Sequence, residues 1–430
     1  MTRELGPRDW GLGTDADGRL TVGTERAVDL ARAFGTPLHV IHEERLEATA
    51  ARFRESLEEA YPGRSSVHYA FKCNAVPAVV EAVRRAGLKA EIMSPFELDL
   101  ALRLGFGGAD IVVNGPGKTA AFLRAAVESA VRLINVDSLA EIALVDEIAR
   151  AAGRTVDILL RINPDFVPRG MNAGSATGSR KGCAFGLDLK GGEAGEALAL
   201  LGDKPGVRFR GFHVHIGTGI REASAYSQAL DRLAPLVRET RDAGFRVDVL
   251  DVAGCATFKD FAGEIGRAVR RIFPGPELPE LIAEPGRSIA SPNQFLLLTV
   301  AQVKVRPKVR TWLVTDGGLG TVTLPTFYEC HEVLLADDVR RPRAERVTIV
   351  GPVCFASDIV YRNIRMPEVR PGEVIAIMDS GAYFVAQESS FGFPRPAVVA
   401  VNKGACRLVR RRETFEDLTG RDVISAPPAG

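Results

Sequence analysis

The sequence predicts an α/β protein, a (β/α)8 TIM-type barrel plus a mostly antiparallel β domain. Three observations lead there. Apolar, strand-like runs recur at 67–71, 89–93, 110–113, 132–135, 157–161, 211–215, 247–252 and 280–284, with helical patterns between most of them. Eight β-α units over roughly 220 residues is the count and length of a closed barrel. An open doubly wound sheet usually stops near about six strands and carries Gly-x-Gly-x-x-Gly after its first strand, which this chain lacks. After Pro292 the rhythm changes. Strand-like runs at 295–305, 311–314, 346–350, 373–378, 397–401 and 407–409 follow one another with turns and little helix, as in a separate β domain.

In order, residues 1–36 are Gly-rich and mixed, with one short helical stretch at 25–33, and are expected to pack with the β domain. A strand is expected at 37–41 and an amphipathic helix at 43–57, then barrel helices at 75–87, 95–105, 119–129, 138–152, 222–243 and 260–273. The expected domains are therefore 1–36, 37–292 and 293–430, ending in a frayed tail from Ser425. With 46% apolar and 25% charged residues, the composition is that of an ordinary globular protein. A net charge of +1 over 430 residues gives no field to draw nucleic acid or an anionic membrane. No run is long and apolar enough for a membrane span, and Met1 to Pro7 lack the apolar core of a signal peptide. The six cysteines (73, 183, 255, 330, 354 and 406) show no paired spacing, which suits reduced thiols and a cytoplasmic enzyme.

Barrel active sites gather at the C-terminal ends of the strands. The first strand ends in Phe71-Lys72-Cys73-Asn74, the fifth delivers Arg161 and Asn163, and the sixth His213, His215 and Gly217-Thr218-Gly219. The seventh delivers Asp251 and Ala253-Gly254-Cys255, the eighth Glu284-Pro285-Gly286-Arg287-Ser288. A lysine at a strand mouth loses water on several sides, which favours the neutral amine as a nucleophile toward a carbonyl cofactor. Glycine N–H groups, the Thr218 hydroxyl and the Arg287 guanidinium are the parts of a phosphate cradle. A phosphate opposite an amine points to pyridoxal 5'-phosphate held by Lys72 as a Schiff base, with Glu284 pairing the pyridine nitrogen.

Each residue also has a plainer reading. Lys72 can be a surface lysine, and Glu284 can simply pair with Arg287. Cys354 can be a buried thiol. The stretch Asp379-Ser380-Gly381-Ala382-Tyr383 can be only a turn with a core tyrosine. His213-x-His215 places two rings on one strand face, as a metal pair does, but no partner stands at ligand spacing and no metal is expected. The segment 166–184, rich in Gly and Ser with Arg169, Arg180 and Lys181, is a lid, a docking loop or a solvated linker.

The chain resembles the fold-type III pyridoxal-phosphate decarboxylases, most nearly the diaminopimelate decarboxylase group and more distantly the ornithine and arginine decarboxylases. The resemblance rests on Tyr69-Ala70-Phe71-Lys72-Cys73-Asn74, His213-Val214-His215-Ile216-Gly217-Thr218, Glu284-Pro285-Gly286-Arg287, Gly351-Pro352-Val353-Cys354 and Asp379 to Tyr383. It implies that Lys72 holds the cofactor, His215 stacks on its ring and Glu284 meets the ring nitrogen. It also implies that Thr218, Gly254, Gly286, Arg287 and Tyr383 bind the phosphate. Arg161 is counted with the cofactor-binding set. It further implies a homodimer with sites at the subunit interface, where Cys354 reprotonates Cα, and a weaker substrate role for His331. A carboxylate rather than an arginine on the ring nitrogen favours decarboxylation over racemisation.

The departures concern the substrate. Ala253-Gly254-Cys255 replaces the family's triple glycine, Phe355 stands where a substrate-gripping glutamate follows the cysteine, and Leu324-Pro325 replaces an Arg-Pro. A buried charged substrate end needs a charged partner. The expected function is therefore decarboxylation of an amino acid other than meso-diaminopimelate, free or carrier-bound and from a specialised pathway, with Phe355, Asp358 and His331 lining its far end. The alternatives are diaminopimelate decarboxylation in lysine biosynthesis and a non-catalytic pyridoxal-phosphate-binding regulator.

Overall fold

The computed structural model describes residues 4–171, 173–220, 222–254, 258–323 and 329–423. Two compact units result: residues 47–289, and residues 1–46 together with 290–430.

The first unit is the barrel. Its parallel strands are β1 (Ser65–Ala70), β2 (Lys89–Ile92), β3 (Ile111–Val113), β4 (Leu133–Val136), β5 (Val156–Asn163), β6 (Val207–His215), β7 (Val249–Ala253) and β8 (Glu280–Glu284). Each pairs with the next, β8 pairs with β1, and the ring closes without a free edge. The expected β-α rhythm is thus present, and its punctuation is visible in the residues. Ser94, Thr119 and Ser138 each accept a hydrogen bond from the backbone N–H three residues on, capping helices Pro95–Arg103, Ala120–Glu128 and Leu139–Ala151. Gly87 closes helix Pro77–Arg85 at φ +85°, and Leu88 then turns straight into β2. One helix escaped the sequence reading, Glu193–Leu201 between β5 and β6.

Inside the barrel, Val112, Leu133, Leu159, Val249 and Ile282 form an apolar cluster. Glu91, Asn135, Arg161, His213, Asp251 and Glu284 are buried too. Polar groups so placed need partners, because an unpaired one costs about 1–3 kcal/mol and a charge more.

The second unit is a mixed, mostly antiparallel sheet with an apolar cluster on each face, one around Trp10, Leu297 and Val399 and the other around Leu298, Ile349 and Ile377. Strand Leu38–His42 belongs here, not to the barrel. It pairs antiparallel with the long strand Gln294–Arg306 and parallel with Ala397–Asn402. The boundaries expected at 36/37 and 292/293 therefore move to 46/47 and 289/290. Strands Val333–Leu335 and Ile359–Met366 were also not foreseen. Among residues 4–36, Trp10, Leu20, Val22 and Leu30 lie in one of the apolar clusters of this unit.

Candidate active site

Strand register assembles the barrel residues. His213 lies beside Asp251 across β6 and β7, while His215, Ala253 and Glu284 share one level across β6, β7 and β8. Side chains alternate along a strand, so His213 and His215 face one way, and Asp251 and Ala253 do likewise.

Lys72 follows β1 in a short turn, and its Nζ makes an ion pair with Glu91 of β2. The surface-lysine reading fails: the side chain is 26% exposed and its partner is fully buried. Glu91 also accepts from Asn114 Nδ2 at 2.9 Å, and the same amide nitrogen reaches both Glu284 oxygens at 2.8 and 2.9 Å. Asn135 Nδ2 donates to Asn114 Oδ1 (2.7 Å) and to Asp251 Oδ2 (3.3 Å). His213 Nε2 stands 3.4 Å from Glu284 Oε2. Glu284 is thus held by Asn114; Arg287 instead directs Nε at Thr218 Oγ1, 3.2 Å away. Burial pushes the Glu284 carboxyl up, with the Lys72 charge opposing it, and pushes Asp251 far above the usual carboxylate range with Glu284 adding to the effect.

His215 is held by the long loop. Thr177 Oγ1 is 2.6 Å from its Nδ1, and Ala176 bridges Gly217 across two antiparallel segments. Backbone bonds from Thr177 N to Ile216 O and from Thr218 N to Ser175 O fix the same junction. Residues 175–177 of the segment are therefore built against the exit of β6, and for them the solvated-linker reading fails. Burial first and Arg161 second hold the His215 imidazole far below its ordinary pKa, so it is neutral. Arg161 pairs with Asp137 at 3.2 Å and lies 4.5 Å from the Phe185 ring centre. Asp137, Asn163, Arg180, Cys183 and Phe185 also line a cavity of about 510 Å³ at the mouth of β4 and β5.

Where a phosphate is expected, the glycines are required. Gly217 and Gly254 have φ of +140° and +92°. A Cβ on Gly286 would come within 2.8 Å of Cys73 Cβ. A backbone approach that a side chain would fill, beside a hydroxyl and a guanidinium, fits a phosphate; a buried carboxylate and a lysine fit the ring nitrogen and aldehyde of pyridoxal phosphate.

The remaining expected residues lie on the sheet unit. Cys354 is exposed, not a buried thiol, and Phe355 is half-exposed with its ring 6.5 Å from and near-perpendicular to Phe391. Asp358 departs from the expectation of a substrate contact. It is 3% exposed and accepts from Leu319 N at 2.6 Å and Val353 N at 2.9 Å, so both oxygens serve the local backbone. His331 Nε2 meets Glu329 at 2.9 Å, its backbone N–H donates to Tyr361 Oη, and its ring stands edge-on to Phe384. Tyr383 takes φ +65° in a turn whose Asp379 accepts from Trp10 Nε1 at 3.0 Å, and its side chain is half-buried rather than core. Cys255, Leu324, Pro325 and Tyr328 lie outside the described residues.

The sequence reading did not single out Glu91, Asn114, Asn135 or Thr177. Asn135 carried a signal, as the lone polar residue of the apolar strand Leu133–Val136, whereas Glu91 shares its strand with Lys89; Thr177 in its Gly- and Ser-rich loop carried none.

Comparison with known proteins agrees with this geometry. The family model described as the pyridoxal-dependent decarboxylase, pyridoxal binding domain, matches residues 44–291. That of the C-terminal sheet domain of the same family matches residues 225–381. The chain is a pyridoxal-dependent decarboxylase. Its relatives include the diaminopimelate decarboxylase of Methanocaldococcus jannaschii, 31% identical over 97% of this chain and 98% of that one. The Actinosynnema pretiosum enzyme of that name is 34% identical over 96% and 95%. Among solved structures, the M. jannaschii enzyme superposes with a TM-score of 0.89 at 30% identity, covering 97% of this decarboxylase and 98% of that chain. A second crystal structure of it, in complex with L-lysine, superposes with a TM-score of 0.89 at 30% identity, with 96% and 98% covered. The decarboxylase therefore uses pyridoxal phosphate to remove a carboxylate from an amino acid. Among its described residues no helix is long and apolar enough to cross a membrane.

Proposed function

We propose that this decarboxylase acts on diaminopimelate. What carries the reading is likeness over nearly the whole chain to proteins named diaminopimelate decarboxylase. It favours diaminopimelate over the different substrate that Phe355 suggested in the sequence.

When bound, pyridoxal phosphate supplies an electron sink for the pair left at Cα as CO2 departs. Lys72 holds the cofactor through Nζ, and Glu91 beside it holds the proton that this amine gives up. Thr218, Arg287 and the glycine N–H groups take the phosphate. The neutral imidazole of His215 offers a flat, uncharged face, and Glu284 holds a proton at the ring nitrogen. Arg161, tied to Asp137, stands on the β5 wall with its charge matched. The Cys354 thiol returns a proton to Cα across a dimer interface.

A second reading keeps the chemistry and changes the substrate's far end. Phe355 and Phe391 present an aromatic corner beside Cys354, and Asp358 is committed elsewhere. The test is CO2 release by cofactor-loaded protein over meso-diaminopimelate, lysine, ornithine, arginine and glutamate. Release from meso-diaminopimelate supports the first reading, and release from another member alone replaces it. Lys72→Ala must lose both cofactor colour and turnover; retention of both would remove the decarboxylase roles assigned here. Mixing inactive Lys72→Ala with inactive Cys354→Ala restores activity only if sites are shared between subunits.

A further inference from the structure

We propose that Asp251 is a positioning residue for Glu284, holding one proton between the two carboxylates. The inference rests on Glu284 being the ring-nitrogen partner, as argued above.

The hydrogen bonds of this layer lead to it. Asn114 has two amide hydrogens; one goes to Glu91 and the other is shared by the two Glu284 oxygens. Its Oδ1 must therefore accept, and it accepts from Asn135. The second hydrogen of Asn135 goes to Asp251 Oδ2. The orientation of both amides is thus fixed by the carboxylates around them. Asp251 Oδ1 is then left fully buried with no donor among the described residues. The ligand atoms of His213, Asp251 and Glu284 all lie within 4.8 Å of one another, and the neighbouring Glu284 carboxyl, by its charge and by a side-chain hydrogen bond, raises the Asp251 carboxyl after burial.

Charge counting agrees. The groups facing this layer are Lys72 from the end of β1, Glu91 of β2, Asp137 after β4, Arg161 of β5, His213 and His215 of β6, Asp251 of β7 and Glu284 of β8. Lys72 pairs with Glu91 and Arg161 with Asp137, and among these groups no cation remains for a second anion. Both imidazoles are kept neutral by burial and by Arg161, so His213 cannot supply the charge. Two ionised carboxylates this close in a dry interior repel strongly, and one of such a pair keeps its proton. The proton belongs on Asp251, because Glu284 already receives Asn114 and must stay anionic to face a protonated ring nitrogen. A donated O–H lowers the basicity of Glu284 and leaves the shared proton on the ring.

The experiment uses the holoenzyme and its Asp251→Asn, Asp251→Leu and Glu284→Gln variants. Infrared spectra at neutral pH should show the carbonyl absorption of protonated carboxyls in the wild type, with one component of it lost in Asp251→Asn. The amide introduced by Asp251→Asn still donates an N–H to Glu284, so cofactor dissociation should stay within about threefold of wild type and the cofactor absorption should not shift. Asp251→Leu removes the donor and should weaken cofactor binding by roughly tenfold or more, with a shifted absorption. Should Asp251→Leu fail to fold, the lost component and the Asp251→Asn titration decide alone. No component lost between the wild type and Asp251→Asn, or an affinity loss well beyond threefold in that variant, overturns the proposal. An unshifted cofactor spectrum in Glu284→Gln overturns instead the ring-nitrogen role, while the lost component still reports on Asp251.

Discussion

Thr177 Oγ1 stands 2.6 Å from His215 Nδ1 and 3.0 Å from the His215 carbonyl oxygen. A hydroxyl has one hydrogen, and both contacts are satisfied when it goes to the carbonyl and Nδ1–H donates to the hydroxyl oxygen. One threonine from a long loop therefore sets both the backbone and the ring of the residue assigned to the cofactor's face.

Thr177→Val is expected to weaken cofactor binding roughly tenfold, the scale of one buried hydrogen bond near about 1.5 kcal/mol. Thr177→Ser keeps the hydroxyl and should bind as wild type. Titration of cofactor absorbance distinguishes the two; equal binding by Thr177→Val would show that the loop does not govern His215.

Gly286→Ala places a methyl group 2.8 Å from Cys73 Cβ and 3.2 Å from Ala70 Cβ, so the backbone beside Arg287 must shift. Overpacking of this kind costs about 1–3 kcal/mol. The melting temperature should fall, and cofactor affinity should fall further than stability alone explains, because the phosphate contacts move. Calorimetry paired with cofactor titration reads both.

Burial pushes the Glu97 carboxyl up to about 7 from an ordinary value of 4.5, against the pull of its hydrogen bond from Met93 N. A folded-state pKa raised above the unfolded one stabilises fully below the unfolded value and is lost as pH rises through the folded one. Between about pH 4.5 and 7 this group should therefore erode stability as pH rises, by up to about 3 kcal/mol. Glu97→Gln should flatten that part of the unfolding free energy against pH. An unchanged slope would assign the pH dependence to other groups.

Asp358→Ala leaves the half-buried N–H groups of Leu319 and Val353 without their acceptor. A loss of about 2–4 kcal/mol is expected in chemical denaturation. Asp358→Asn should retain one of the two bonds and fall between. If instead Asp358→Ala kept its stability and lost only substrate affinity, Asp358 would be a substrate contact after all.

The barrel was legible because most of its strands are short apolar runs and several helices carry their own start signal, such as Ser94-Pro95 and Ser138-Leu139. Residues at strand ends were legible for the same reason: Lys72, His215 and Glu284 follow from knowing where a strand stops. What lies across the barrel was not. That Asn114 of one strand end would bridge Glu91 and Glu284 depends on closure and register, which local pattern does not carry. The strand Ile359–Met366 was missed because Asn363 takes φ +53° within it and the pairing with Glu345–Val350 slips register. Leu38–His42 read correctly as a strand but was given to the wrong unit, since its partners stand far along the chain.

That last feature has a bearing on how the protein is made. Strand Leu38–His42 leaves the ribosome early, yet Gln294–Arg306 and Ala397–Asn402, between which it is inserted, come only after the barrel residues. At synthesis rates of about 5–20 residues per second, an all but uncharged β-strand waits on the order of tens of seconds for both neighbours. The barrel can mature during translation, while the sheet cannot be completed until the chain is nearly finished. Nascent chains halted before residue 294 would expose this strand, and it is there that a chaperone would have most to protect.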